Sequence, residues 1–124
     1  MPETLPPDVA GVLAELLDQD DPVHAALRRQ VPYIQVAGRC GCGCGTADFA
    51  FDPGEDEVAP APVGTGTEVP VEAPLLTETG DCPGGVMIVT RRGYLAWLEV
   101  YSWSDDVEVT LANAFRWLRA RRRA

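Results

Sequence analysis

Cys40, Cys42 and Cys44 place three thiols within five residues, separated only by Gly41 and Gly43. The fourth cysteine, Cys82, stands in a second glycine-rich turn, Gly80-Asp81-Cys82-Pro83-Gly84-Gly85. Four thiolates are the number a tetrahedral zinc takes, at about 2.3 Å each. Reach decides whether they can serve. In an extended strand Cys40 and Cys44 would stand about 13 Å apart, from a rise of ~3.3 Å per residue. Curled in a glycine loop they could converge, and Cys82 could close the site from the turn before the next hairpin. Zinc ligands are more often spaced C-x(2–4)-C, which wraps the ion more naturally than C-x-C. Two other readings therefore stand beside the metal site. One is an exchangeable thiol pair. The other, favoured on spacing alone, is a set of small soft side chains that fill a crowded turn and never ionise.

Few other residues offer chemistry. His24 is the single histidine, and it lies in a helical stretch as an expected surface or boundary residue. Glu99 falls between Trp97 and Tyr101 on one face of a strand, where apolar surroundings would raise a carboxyl pKa. The plainer expectation is a rim position paired with Arg39 or Arg92. There is no lysine, and P-loop, dinucleotide-binding and HExxH patterns are absent. With general bases this scarce, an enzyme is the less favoured reading. Tyr101-Ser102-Trp103-Ser104-Asp105-Asp106 is aromatic and then acidic, a composition suited to a protein-binding edge at Tyr101, Trp103, Asp105 and Asp106.

The elements that must hold these residues follow from periodicity. Val9, Val12, Leu13, Leu16 and Leu17 form one helical stripe behind Pro6, Pro7 and Asp8. Asp21 is the expected cap of a second helix, with Pro22 in its first turn and Pro32 ending it. From Tyr33 the period becomes two. Ile34 and Val36 mark one strand; Ala47, Phe49 and Phe51, alternating with Asp48, Ala50 and Asp52, mark another. The apolar parity switches between them, so the chain must turn or bulge between Gly38 and Thr46. Pro53 to Thr67 is expected to be a long mobile acidic loop. Val69, Val71 and Leu75-Leu76 suggest a short third strand, placed at an edge by Pro70 and Pro74. Val86–Thr90 and Tyr94–Trp103 flank Arg91-Arg92-Gly93 as a hairpin. Its second strand is apolar on both faces, with Leu95, Trp97, Tyr101 and Trp103 on one and Ala96, Leu98 and Val100 on the other, and is expected to be central. Thr110 caps a last helix carrying Leu111, Ala114, Phe115 and Leu118. The expected fold is α+β: an N-terminal helical hairpin, an antiparallel sheet of four or five strands, and a C-terminal helix, in a single domain over 1–124.

Composition bounds the partners. The 124 residues are 46% hydrophobic, enough for one core, and the formal net charge is -9. Such a surface repels phosphate backbones, so nucleic acid is not an expected partner. The basic run Arg119, Arg121, Arg122 and Arg123 is expected to be the solvated end of a helix. Met1-Pro2-Glu3-Thr4 is acidic, and no apolar run approaches the ~20 residues of a membrane span. A reducing cytosol is the expected compartment, where cysteines serve as thiols or metal ligands rather than disulfides. All ten basic residues are arginine, which suggests a high-GC bacterial genome.

Gly38-Arg39-Cys40-Gly41-Cys42-Gly43-Cys44, with the later Leu98-Glu99-Val100-Tyr101-Ser102 and Ser104-Asp105, resembles a group of small uncharacterised bacterial proteins, mainly high-GC Gram-positive. The resemblance covers about half the chain and implies no activity. Two functions follow from the residues. The first is a small acidic, non-catalytic protein-binding module. The alternative is a thiolate metal protein holding a zinc-type ion at Cys40, Cys42, Cys44 and Cys82.

Overall fold

The computed structural model describes residues 5–51 and 57–123. Asp52, loop residues 53–56 and the first four residues lie outside the described residues. Helix α1 spans Pro7–Leu16, and the Asp8 carboxylate accepts the Val9 N–H at 2.9 Å in its first turn. Val9, Val12, Leu13 and Leu16 are buried along its stripe. Its C-terminal end is tied to the next helix, because the Arg28 guanidinium donates to the carbonyls of Leu17 and Gln19. Helix α2 spans Pro22–Gln30, and the Asp21 side chain accepts the N–H groups of Val23 and His24 at 3.1 and 3.0 Å. That is the expected cap, which satisfies donors that a first turn leaves unpaired. A single 3-10 turn, Val31–Tyr33, carries Pro32 and delivers the chain to the sheet.

Five strands follow: β1 Ile34–Arg39, β2 Ala47–Phe51, β3 Thr67–Leu75, β4 Gly84–Arg91 and β5 Tyr94–Ser102. They are ordered β1-β2-β5-β4-β3, with every neighbouring pair antiparallel. Helix α3, Leu111–Arg123, completes the α+β fold. Strand β5 is central, as its two apolar faces imply. Its hairpin with β4 turns through Arg92 and Gly93, both at positive φ (55° and 83°). That pair matches the primed turn whose twist suits two strands. Strand β3 lies at the edge but runs nine residues, longer than the prolines suggest. An edge strand needs only half its N–H groups, and the pairing shifts register between Glu68 and Val71, around Pro70.

The core lies on one face of the sheet. Ile34, Ala47, Val71, Leu75, Val86, Ile88, Leu98 and Val100 are buried there against residues of all three helices. Each such leucine contributes roughly 2 kcal/mol by leaving water. Asp48, Glu72, Met87, Trp97, Glu99 and Tyr101 belong to the opposite face. The expected grouping of Leu95 with Trp97 and Tyr101 is corrected by a bulge. Thr90 pairs with Leu95 and Val89 with Trp97, so Ala96 is an extra residue that returns Leu95 to the core side. A second bulge, at Ala37, turns Arg39 toward Ala47 and the helices.

The acidic loop is seated where described, contrary to the mobile segment expected. Ala61 is buried, and its N–H donates to Gly93 O at 2.8 Å. Gln30, wholly buried at the end of α2, joins three segments. Its amide donates to Ala59 O and Gly93 O at 3.2 and 2.9 Å, and its carbonyl accepts Leu95 N–H at 2.9 Å. In α3, Thr110 Oγ1 accepts Asn113 N–H at 3.1 Å, as a cap should. Leu111, Ala114, Trp117 and Leu118 are buried beneath that helix, with Phe115 half-buried. Arg119 and Arg121 are exposed near its end. No described helix is long and apolar enough to cross a membrane.

Candidate metal centre

Strands β1 and β2 are joined by the cysteine loop, held by three backbone hydrogen bonds and one from the Arg39 side chain. Cys40 N–H donates to Thr46 O at 2.9 Å, closing the hairpin, and Gly43 N–H donates to Cys40 O at 3.4 Å within the loop. Arg39, turned inward by the Ala37 bulge, donates from Nε to Gly45 O at 3.1 Å and pairs with Asp8 at 2.7 Å. Leu111 N–H, at the start of α3, donates to Cys44 O at 2.7 Å. Gly45 is required here. Its φ is +96°, and a Cβ would stand 2.7 Å from Leu111 Cβ. At the tip a Cβ on Gly41 or Gly43 would meet nothing within 4 Å, although Gly43, at φ +89°, still favours glycine.

The loop gathers its sulfurs. Cys40, Cys42 and Cys44 present Sγ atoms that all lie within 4.8 Å of one another, with Cys40 and Cys42 exposed and Cys44 half-buried. These three could hold a metal ion. Two thiolates on one tetrahedral ion stand about 3.8 Å apart, from arms of about 2.3 Å. Cys40 and Cys42, at 2.8 Å, need only open by about an ångström to reach that spacing.

Each sulfur also meets a hydrogen-bond partner two residues downstream. Cys42 N–H points to Cys40 Sγ at 3.5 Å, and Cys44 N–H to Cys42 Sγ at 3.4 Å. The Cys44 sulfur lies 3.3 Å from Thr46 Oγ1, and that oxygen accepts Val100 N–H at 3.2 Å. The neutral Cys44 thiol donates to that oxygen, and once ionised it accepts the Thr46 hydroxyl proton instead. Burial opposes ionisation of Cys44. Hydrogen bonds from the Thr46 hydroxyl and backbone N–H, and from the Cys42 and Cys40 thiols, outweigh it and bring the Cys44 thiol down to about 7. Hydrogen bonding with Cys40 and then Cys44 pushes Cys42 up to about 11. Cys42 and Cys44 thus titrate together, the one raised and the other lowered.

Cys82 stands outside this group. It precedes β4 at the same end of the sheet, where its Sγ donates to Gly84 O at 3.4 Å and its carbonyl accepts Trp103 Nε1–H at 2.8 Å. Of the four sulfurs expected to converge, the structure brings together three. His24 is also apart, with Nδ1 2.6 Å from the Asp21 carboxylate. Glu99 accepts Trp97 Nε1–H at 3.0 Å, whereas its expected partner Arg39 is taken by Asp8. Tyr101 is half-buried and donates to Glu72 at 2.8 Å, while Trp103, Asp105 and Asp106 are exposed. Thr46, Arg39 and Gly45 are the site residues that sequence reasoning missed. Only Gly45 carried a trace there, as one of the glycines that let the loop turn. Comparison with protein-family models, with curated proteins and with solved structures gives no match.

Proposed function

We propose that the protein binds a soft, thiophilic metal ion through Cys40, Cys42 and Cys44, in an open and exchangeable site. The observation that carries this reading is the convergence of the three sulfurs, two of them facing a backbone N–H two residues ahead. Such donors orient ligands and spread the charge of thiolates. Thiolate sets select Zn(II) and Cu(I) among common ions. Structural zinc sites are closed by four protein ligands, whereas three leave a position for water or an incoming ligand. Two of the three cysteines are exposed, and the loop tip lies outside the core. An ion held there is placed for exchange with another carrier.

The reduced protein, purified without chelator or affinity nickel and supplied with zinc, should retain about one zinc per chain by elemental analysis. Cys42→Ser and Cys44→Ser should lose it, the exposed Cys42→Ser while unfolding within about 1 kcal/mol of the parent in metal-free buffer. Cys82→Ser should keep it. Four freely reactive thiols and no retained zinc in the parent protein would sink the proposal. Loss of zinc in Cys82→Ser would restore the four-thiolate closed site instead.

A further inference from the structure

The sheet face opposite the helices carries a second feature, independent of the thiols. Trp97, Glu99 and Tyr101 alternate along it, and Trp103 continues the row past the end of β5. Asp48 pairs across from Trp97, and Glu72 lies across Met87 from Glu99, so three carboxylates share the face. The Tyr101 ring lies over Gly85, where a Cβ would meet its hydroxyl at 2.2 Å, and the hydroxyl reaches Glu72. Trp103 is 63% exposed yet fixed. Its indole N–H is bound to Cys82 O, and its ring leans on Tyr101 with centroids 5.6 Å apart. With the N–H satisfied, what the ring offers outward is its π face. Asp105 and Asp106 follow in a turn closed by Asp106 N–H to Ser104 Oγ.

The molecule already contains the complement of such a surface. Arg91 places its guanidinium 5.7 Å from the Trp97 ring centroid, beside the Glu99 carboxylate that holds the same indole. Arginine over tryptophan next to a carboxylate is favourable by cation–π attraction and charge together. Trp103 presents a similar ring, its N–H held by the Cys82 carbonyl rather than by a carboxylate, with Asp105 and Asp106 two and three residues on. Exposed, immobilised aromatics are also the residues that dominate binding energy at interfaces.

We propose that Trp103, Tyr101, Glu72, Asp105 and Asp106 dock an arginine-bearing segment of a partner protein, one guanidinium lying on the Trp103 ring. The charge of -9 draws a basic partner to the surface, and the aromatic pair selects arginine over lysine. The probe is a fluorescein-labelled arginine hexapeptide, with lysine and glutamate hexapeptides as comparisons, followed by anisotropy against the intact protein at physiological salt. Saturable binding of the arginine peptide, weaker binding of the lysine peptide and none of the glutamate peptide are expected. Trp103→Ala should weaken the arginine peptide about tenfold without moving the melting temperature, and Asp105→Asn with Asp106→Asn should reduce its salt dependence. Equal affinity of the parent and Trp103→Ala proteins would overturn the proposal, leaving net charge as the cause. So would a concentration-dependent dimer in sedimentation that Trp103→Ala abolishes, since the face would then belong to a second copy.

Discussion

At the scale of single residues, Thr46 shows how one hydroxyl can serve fold and chemistry together. It accepts the Val100 N–H and the Cys44 thiol, and gives its own proton to the sulfur when Cys44 ionises. Thr46→Val should raise the pH midpoint of Cys44 alkylation in the metal-free protein above its value of about 7, while Thr46→Ser should hold it. Because the folded state lowers this thiol from its ordinary value, the associated stability is present above the unfolded pKa and is lost as pH falls through about 7. The valine variant should lose that pH dependence. Tyr101 gives the opposite sign. Burial, then the hydrogen bond and charge of Glu72, push its phenol up to about 12. Glu72→Gln should lower that midpoint in a spectrophotometric titration; an unchanged value would leave burial as the whole cause. The cysteines were legible in the sequence because three thiols in five residues are rare. Thr46 was not, since its role exists only once β5 brings Val100 alongside. The expected pairing of Glu99 with Arg39 or Arg92 does not hold for Arg39, because the bulge at Ala37 turns it toward Asp8.

Among the elements, Gln30 is the residue on which three segments depend. It occupies a core position on the α2 stripe that an apolar residue would ordinarily fill. Gln30→Leu should destabilise the protein by about 1–3 kcal/mol in urea unfolding despite its similar volume, because Leu95 N–H loses its buried acceptor, whereas Gly93 O keeps the Ala61 N–H. A stabilising effect would show that water takes up the Leu95 N–H. Gly45→Ala should act at the junction of loop and helix. The strain of a positive φ and the approach to Leu111 should cost more than about 1 kcal/mol and weaken zinc retention together. Helices α1 and α2 were legible from stripe and cap, as was the central place of β5. The Ala96 bulge was hidden because Leu95, Trp97 and Tyr101 keep period two through it. The loop at 57–66 looked mobile because its composition is that of a linker, and its seat is supplied by Gln30 and Gly93 from distant parts of the chain.

For the whole molecule, the core and the thiol loop are separable. The buried residues of α1, α2, α3 and the sheet leave Cys40 and Cys42 exposed. Chelator should therefore leave the far-ultraviolet circular dichroism unchanged. It should lower the unfolding free energy only by the mass-action term, about 2.7 kcal/mol at a hundredfold excess of metal over Kd. Collapse of secondary structure on chelation would instead make the ion part of the fold. The α+β class was legible because three helical stripes and a run of period-two segments admit few other layer arrangements. Which face the helices leave open was not, because both faces of β5 carry large apolar residues.

The hydrogen bond from Leu111 N–H to Cys44 O gives the loop a listener. A carbonyl three bonds from a sulfur ligand shifts whenever that sulfur is drawn inward, and the amide that begins α3 rests on it. Solvent deuterium reaching that one amide would then slow or quicken with occupancy of the thiols, while amides deep in β4 and β5 kept their pace. The last helix is thus fastened at its root to the most exposed chemistry of the chain, and its fraying records what the cysteines hold.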